Sequence, residues 1–200
     1  MTHVDLSTLD LVLAGFAGVA IAAACGLRAF LPLLALSLGV RFGFLHVTPS
    51  AMWIASGPAI IALLWATVLE LAADKVPALD HLLDLVATAL RPIAAAIAAW
   101  CTFTGVHPAL GVAAALVLGA GAMGIHVAKA KVRLGSSMLS FGTANPILSF
   151  MEDAIATGLS AMAVLAPLAA VLGVVLVVWA FRRVYRGPRT APAAEDPGGE

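Results

Sequence analysis

The chain has 200 residues, of which 62% are apolar and only 11% charged, with 11 basic and 11 acidic side chains and a mean hydropathy of +1.04. That is a one-domain length, and soluble domains average about 45–50% apolar and about 25% charged residues, so the composition argues against a soluble enzyme and a disordered chain. Balanced charge offers nucleic acid no basic surface, which leaves an all-α, polytopic membrane protein as the expectation.

A helix crossing the ~30 Å hydrocarbon core needs roughly 20 mostly apolar residues. Leu11–Leu27 is an unbroken apolar run, ended by Arg28 and resumed over Ala29–Val40 with Pro32 inside. Ala51–Leu69 carries no charge, Leu85–Val106 is interrupted by Arg91-Pro92, and Ala109–Ile125 is apolar throughout. Ala154–Phe181, at 28 residues, is too long for one straight span, and Pro167 in its middle predicts a kink or break. The pattern is a transmembrane helical bundle of five or six crossings with broken helices, a single domain over 1–186 and a disordered tail over 187–200. Met1–Asp10 contains no Lys or Arg, so the basic start of a signal peptide is missing and the first segment is expected to stay as a helix. Cys25 and Cys101 lie in apolar runs without a paired spacing and read as small apolar residues.

Lys and Arg set orientation. Arg182, Arg183, Arg186 and Arg189 place the tail in the cytoplasm, and the cation-free N-terminus favours the outside, hence an odd number of crossings. Lys129, Lys131 and Arg133 also prefer the cytoplasm. Both clusters fit only if 147–181 crosses twice or the Lys129 cluster is not an ordinary loop.

An internal echo accompanies these runs. Pro77–Leu90 (PALDHLLDLVATAL) and Pro146–Leu159 (PILSFMEDAIATGL) agree at six of fourteen positions, among them Pro77/Pro146, Asp84/Asp153 and Thr88/Thr157. A weaker pair is Gly26-Leu27-Arg28 against Gly124-Ile125-His126. Two related halves, about 8–104 and 107–181 with an extra helix in the first, would account for both; chance likeness of two amphipathic helix starts is the plainer alternative. Repeated halves with broken apolar segments point to a binding site at their interface.

The polar residues beside these spans are the candidate site. Glu70 and Asp74 are one turn apart, followed by Lys75; Asp80, His81 and Asp84 share a helix face that continues to Arg91. In the second half His126, Lys129 and Arg133 share a face, Asn145-Pro146 makes a turn or break, and Glu152-Asp153 open the long apolar run. Solvated helix starts and a positive loop are the competing explanation. Arg28 resists it: with apolar neighbours on both sides it needs a carboxylate, Asp84 or Asp153, unless it snorkels to an interface. A cavity holding Arg28, Arg91, His126 and Lys129 could receive an anionic head group or carboxylate while Asp84, Glu152 or Asp153 carries a proton. Glu70, Asp74, Asp80, His81, Asp84 and His126 are conceivable metal ligands, but no paired-histidine motif accompanies them, and neither a metal nor another cofactor is assigned. Ser136-Ser137 and Gly142-Thr143 read as a small polar loop.

Taken together, Gly26-Leu27-Arg28-Ala29-Phe30-Leu31-Pro32-Leu33, Glu70 with Ala73-Asp74-Lys75-Val76-Pro77-Ala78-Leu79-Asp80, Arg91-Pro92, His126 with Lys129-Ala130, and Asn145-Pro146 with Ser149 and Glu152-Asp153-Ala154 resemble a bacterial family of small membrane proteins classed as domain of unknown function 4126. The resemblance covers about 26–160 and implies an integral membrane protein, without a catalytic residue, substrate or cofactor to carry across; the expected location is the bacterial cytoplasmic (inner) membrane. The residues favour a small transporter or flippase, not an enzyme, with the bilayer and a small polar or anionic solute or lipid as partners. A non-transporting scaffold and a membrane enzyme acting on lipid head groups are the alternatives. Convergence of Arg28, Asp84, His126 and Asp153 on a wet pocket would mark the transporter; closed ion pairs without a pocket would mark the scaffold.

Overall fold

A computed structural model describes residues 8–47, 49–73, 77–103, 107–140 and 145–185; for residues 77–85, 87, 137, 139–140, 145–146, 181 and 184–185 it describes the backbone alone. These residues form seven α-helices and one 3-10 helix, with no strand among them: α1 Thr8–Cys25, α2 Phe30–Arg41, the 3-10 helix Pro49–Ala55, α3 Gly57–Ala73, α4 Pro77–Phe103, α5 Pro108–Ser140, α6 Asn145–Leu165 and α7 Pro167–Tyr185. Pro77, Pro108 and Pro167 each open a helix, where a missing N–H costs nothing because no carbonyl is there to receive it.

The break between α1 and α2 is local chemistry. Gly26 and Leu27 donate to Ala23 and Ala24 carbonyls at 3.1 and 2.9 Å, a tightened last turn. A Cβ on Gly26 would come within 2.7 Å of both the Ala122 carbonyl and Ile125 Cβ, so glycine lets α1 end directly against α5. At the far end of α2, Gly43 at φ +79° allows a left-handed cap, with Phe44 N–H donating to Gly39 O (2.9 Å) and Gly43 N–H to Val40 O (3.2 Å). Ser37 on α2 donates to Ile54 O at 2.6 Å and ties the 3-10 helix to it.

α1 is central and packs on α2, α4, α5, α6 and α7, while α4 and α5 make the most extensive single interface. Gly111 of α5 lies beside Trp100 and Phe103, and Gly119 beside Pro92, so α4 and α5 are antiparallel. The core is largely alanine: Ala17, Ala20, Ala94, Ala95, Ala98 and Ala163 are all but inaccessible. Such small residues permit close backbone approach where lipid removes any hydrophobic drive between helices. Large apolar side chains point outward instead, as Leu116 (70% exposed), Val117 (68%) and Leu172 (66%) show. That inverted distribution is what a bilayer, not water, tolerates.

Among the described residues three helices are long and apolar enough to cross a membrane, within Thr8–Cys25, Pro108–Ser136 and Ile147–Leu165. The 3-10 helix and α3 are long and apolar enough only when taken together, with a bend of 53° between them that suits a broken span or a re-entrant loop, and Phe30–Arg41, Thr88–Phe103 and Pro167–Ala180 are shorter apolar helices. The fold is therefore an all-α helical membrane bundle. The long final run does break at Pro167, but two expectations from sequence need correction. Arg91-Pro92 does not interrupt a span: α4 continues through Pro92, losing only the bond that Pro92 would have made to the Thr88 carbonyl. Ser136-Ser137 is helical, not a loop, because α5 runs on to Ser140. Lys129, Lys131 and Arg133 lie within the same helix, so of the two alternatives left open for that cluster, the one in which it is not an ordinary loop agrees with the structure. The predicted tail, Asp74-Lys75 and Gly142-Thr143 lie outside the described residues.

Candidate functional site

The α1–α2 break and the facing stretches of α3, α4, α5 and α6 hold the buried charges. Arg28 is 0% exposed, Arg91 1%, Lys129 3% and His126 7%. Burial on this scale inside an apolar bundle demands partners, and the structure supplies them in three groups.

The first surrounds Arg28. Its guanidinium pairs with Asp153 of α6 and donates to Ser149 Oγ at 3.2 Å, one turn earlier on the same helix. Of the two acids that sequence offered Arg28, Asp153 is a partner; the Asp84 side chain lies outside the described residues.

The second group lies beside it. Glu152 accepts from Lys129 Nζ at 2.8 Å and from Arg133 through both oxygens, Nη2 to Oε2 at 2.9 Å and Nε to Oε1 at 3.2 Å. Lys129 and Arg133 are one turn apart on α5, so one carboxylate of α6 grips one face of α5. Adjacent acids thereby face different elements: Asp153 the α1–α2 break, Glu152 helix α5.

The break itself is closed by charge. Glu70 of α3 accepts from Ala29 N at 2.7 Å and Phe30 N at 3.0 Å, capping α2, whose own residues supply no side-chain cap. A carboxylate suits a helix N-terminus because the amides there lack partners and the dipole is positive. Lys129 Nζ reaches the Leu27 carbonyl at 3.3 Å, at the C-terminal end of α1. A negative group thus sits at the half-helix start and a positive group at the half-helix end, both provided by the chain itself.

The third group is His126 with α4. Its Nδ1 meets Arg91 Nη1 and its Nε2 meets Thr88 Oγ1 at 3.0 Å. Guanidinium only donates, so Nδ1 accepts and Nε2 carries the hydrogen towards Thr88. Gly119 lets α5 come close to α4 at this level: a Cβ on it would stand 3.0 Å from the Pro92 carbonyl.

The structure thus gathers Arg28, Glu70, Lys129, Glu152 and Asp153 around the break and Arg91 with His126 between α4 and α5. Asp74 and Lys75 are outside the described residues, and Asp80, His81, Asp84 and Asn145 are placed by backbone alone, on α4 and α6. Sequence reasoning did not select Thr88, Arg133 or Ser149 for the site. Each had a signal: Thr88 belongs to the echo, Arg133 to the Lys129 face, and Ser149 precedes Asp153 by one turn. Among the described residues no three His, Cys, Asp or Glu side chains gather as a metal site.

No curated protein and no solved structure matches the chain. The family described as Domain of unknown function (DUF4126) matches residues 16–187, from the first half of α1 to beyond α7, and the chain belongs to that family.

Proposed function

We propose that the chain is a small transporter or flippase of two related halves that handles a small polar or anionic solute, or a lipid head group, at this buried cluster. The observation that carries the reading is a crossed pairing. Arg28, from the Gly-Leu-Arg step of the first half, is held by α6 of the second, through Asp153 and Ser149. His126, from the matching Gly-Ile-His step of the second half, is held by α4 of the first, through Thr88 and Arg91. The two steps also touch, Gly26 against Ile125. Exchange of the two corresponding helices, α4 and α6, about one contact is the pattern expected of duplicated halves, although the side chains they offer differ, and a broken helix at that interface is where such proteins bind their cargo. Among the described residues the cluster holds the cations Arg28, Arg91, Lys129 and Arg133 with the acids Glu70, Glu152 and Asp153, and its buried guanidinium and ammonium groups are the ones an anionic cargo would pair with. An incoming anion would compete with Glu70 for the α2 amides or with Asp153 for Arg28, and release of those carboxylates couples entry to rearrangement. Four crossings come from α1, the bent pair, α5 and α6; residues 88–103 of α4, and then α7, raise the number to five or six. The arginine-rich tail favours a cytoplasmic C-terminus in a cytoplasmic membrane.

A second reading, a non-transporting scaffold, is favoured by the closed Arg28–Asp153 and Glu152–Lys129–Arg133 pairs. Vesicles bearing the purified full chain, adsorbed on a sensor that reads charge movement, separate the two. Jumps in pH, phosphate, small carboxylates and glycerol 3-phosphate should give a transient current that is lost in Arg28→Ala and in Asp84→Asn. Silence of the wild type across that panel, or currents unchanged in both variants, overturns the transport reading.

A further inference from the structure

Away from the charges, a cleft of about 760 Å³ opens between α1, α5 and α7, walled by Ala23, Gly121, Gly124, Val174 and Val178 among others. Arg182 alone among its lining residues is charged. Gly18 and Gly26 are glycines because another helix fills the space beside them: Gly26 has Ile125, and a Cβ on Gly18 would stand 2.9 Å from Thr102 Cβ. Gly121 and Gly124 are different. A Cβ on either would meet no described atom within 4 Å, so their smallness opens room that the described residues do not fill.

The volume lies within the ~300–1,000 Å³ usual for small-molecule sites. A helix about 10 Å across rising 1.5 Å per residue takes up roughly 120 Å³ per residue, so the cleft would hold roughly six residues of one, under two turns. A space of that volume between three helices, walled almost wholly by apolar side chains, suits a thin, flexible chain. Its one polar feature fits what such a chain carries. Arg182 lies in the last turn of α7, and no described acid forms an ion pair with it. The next residue, Arg183, lies over the Trp179 ring at 5.2 Å from its centroid. A tryptophan beside arginines at a helix end marks head-group depth, and guanidinium binds phosphate oxygens through paired, charge-assisted hydrogen bonds.

We infer that this cleft binds an anionic phospholipid, one acyl chain between α1, α5 and α7 and the phosphate on Arg182. The inference does not depend on the transport reading, since none of the ion-paired residues lines the cleft. It is tested with the full chain in phosphatidylcholine vesicles containing traces of spin-labelled phosphatidylglycerol or spin-labelled phosphatidylcholine, measuring the immobilised fraction by electron paramagnetic resonance. Wild type should retain the anionic label about fivefold better, the preference that one arginine near a membrane surface confers on an anion. Arg182→Gln should abolish the preference. The double variant Gly121→Leu, Gly124→Leu, whose new side chains enter open space, should release both labels without lowering the thermal midpoint. Equal retention of the two labels by wild type, or a full preference surviving in Arg182→Gln, overturns the inference. So does a double variant that keeps its lipid but loses a chemically cross-linked dimer, which would make a second copy the occupant.

Discussion

Glu70 offers the sharpest test of how the α1–α2 break is held. Its carboxylate accepts from Ala29 N at 2.7 Å and from Phe30 N at 3.0 Å, and Ala29 is 1% exposed. Glu70→Ala leaves both amides without that acceptor, one on buried Ala29 and one on half-buried Phe30. A stranded buried donor costs about 1–3 kcal/mol and a half-buried one less, so the variant should lose about 2–5 kcal/mol. Glu70→Gln keeps one carbonyl oxygen but turns an amide N–H₂ towards the second backbone donor, so about half that loss, ~1–3 kcal/mol, is expected. If the carboxylate acted only through its charge on the helix dipole, alanine and glutamine would cost alike, at most ~2 kcal/mol. Unfolding in mixed micelles of rising dodecyl sulfate fraction, followed by tryptophan fluorescence, measures all three proteins. Alanine within ~0.5 kcal/mol of wild type, the usual scatter of a surface change, would refute the capping account; equality of the two variants would refute its hydrogen-bond part.

Two further outcomes follow from the same geometry. Glu152→Gln removes the shared partner of Lys129 and Arg133, so it should destabilise more than Lys129→Met or Arg133→Gln alone, and a double-mutant cycle between Lys129 and Glu152 should show a coupling of about 0.5–3 kcal/mol. Gly26→Ala, which must displace α5 backbone 2.7 Å away, should cost about 1–3 kcal/mol, while Gly121→Ala, facing open space, should leave the unfolding midpoint unchanged.

Much of this fold is written in local pattern. The apolar runs mark the helices, Pro167 marks the α6–α7 break, and an arginine amid apolar sequence announces that an acid must come to it. What the pattern does not carry is the choice among partners distant in sequence. Asp84 and Asp153 are equivalent in the echo, and only the packing of α6 against α1 makes Asp153 a partner of Arg28. Glu70 read as one of a pair with Asp74, whereas its work is to cap a helix that begins forty residues earlier. Arg91 and His126 look like two cations that should repel; the histidine meets the guanidinium through its lone-pair nitrogen, a tautomer choice invisible to charge counting. Pro92 misleads for a different reason: the bond it removes is one of many in a helix that α5 supports along its length.

The charges themselves pose a question that packing does not answer. Holding an ion in the apolar interior costs a few kcal/mol even after snorkelling and local hydration, and exchanging a buried ion pair for apolar side chains of similar size is often neutral or stabilises by 1–4 kcal/mol. A bundle needing only to stay closed would do as well with methionine and leucine at Arg28 and Asp153. The double variant Arg28→Met, Asp153→Leu therefore asks what the pair is for. Single changes, Arg28→Met or Asp153→Leu, should each cost about 3–5 kcal/mol by stranding the other charge, and the double should recover most of that loss in mixed-micelle unfolding. If the pair only fastens α6 to the α1–α2 break, the recovered double will behave as wild type in every respect. If the pair is where an anion or proton enters, the double will be folded and electrically silent in vesicles under the jumps that drive wild type. A stable double variant with undiminished currents would show that transport, where it occurs, does not pass through Arg28 and Asp153.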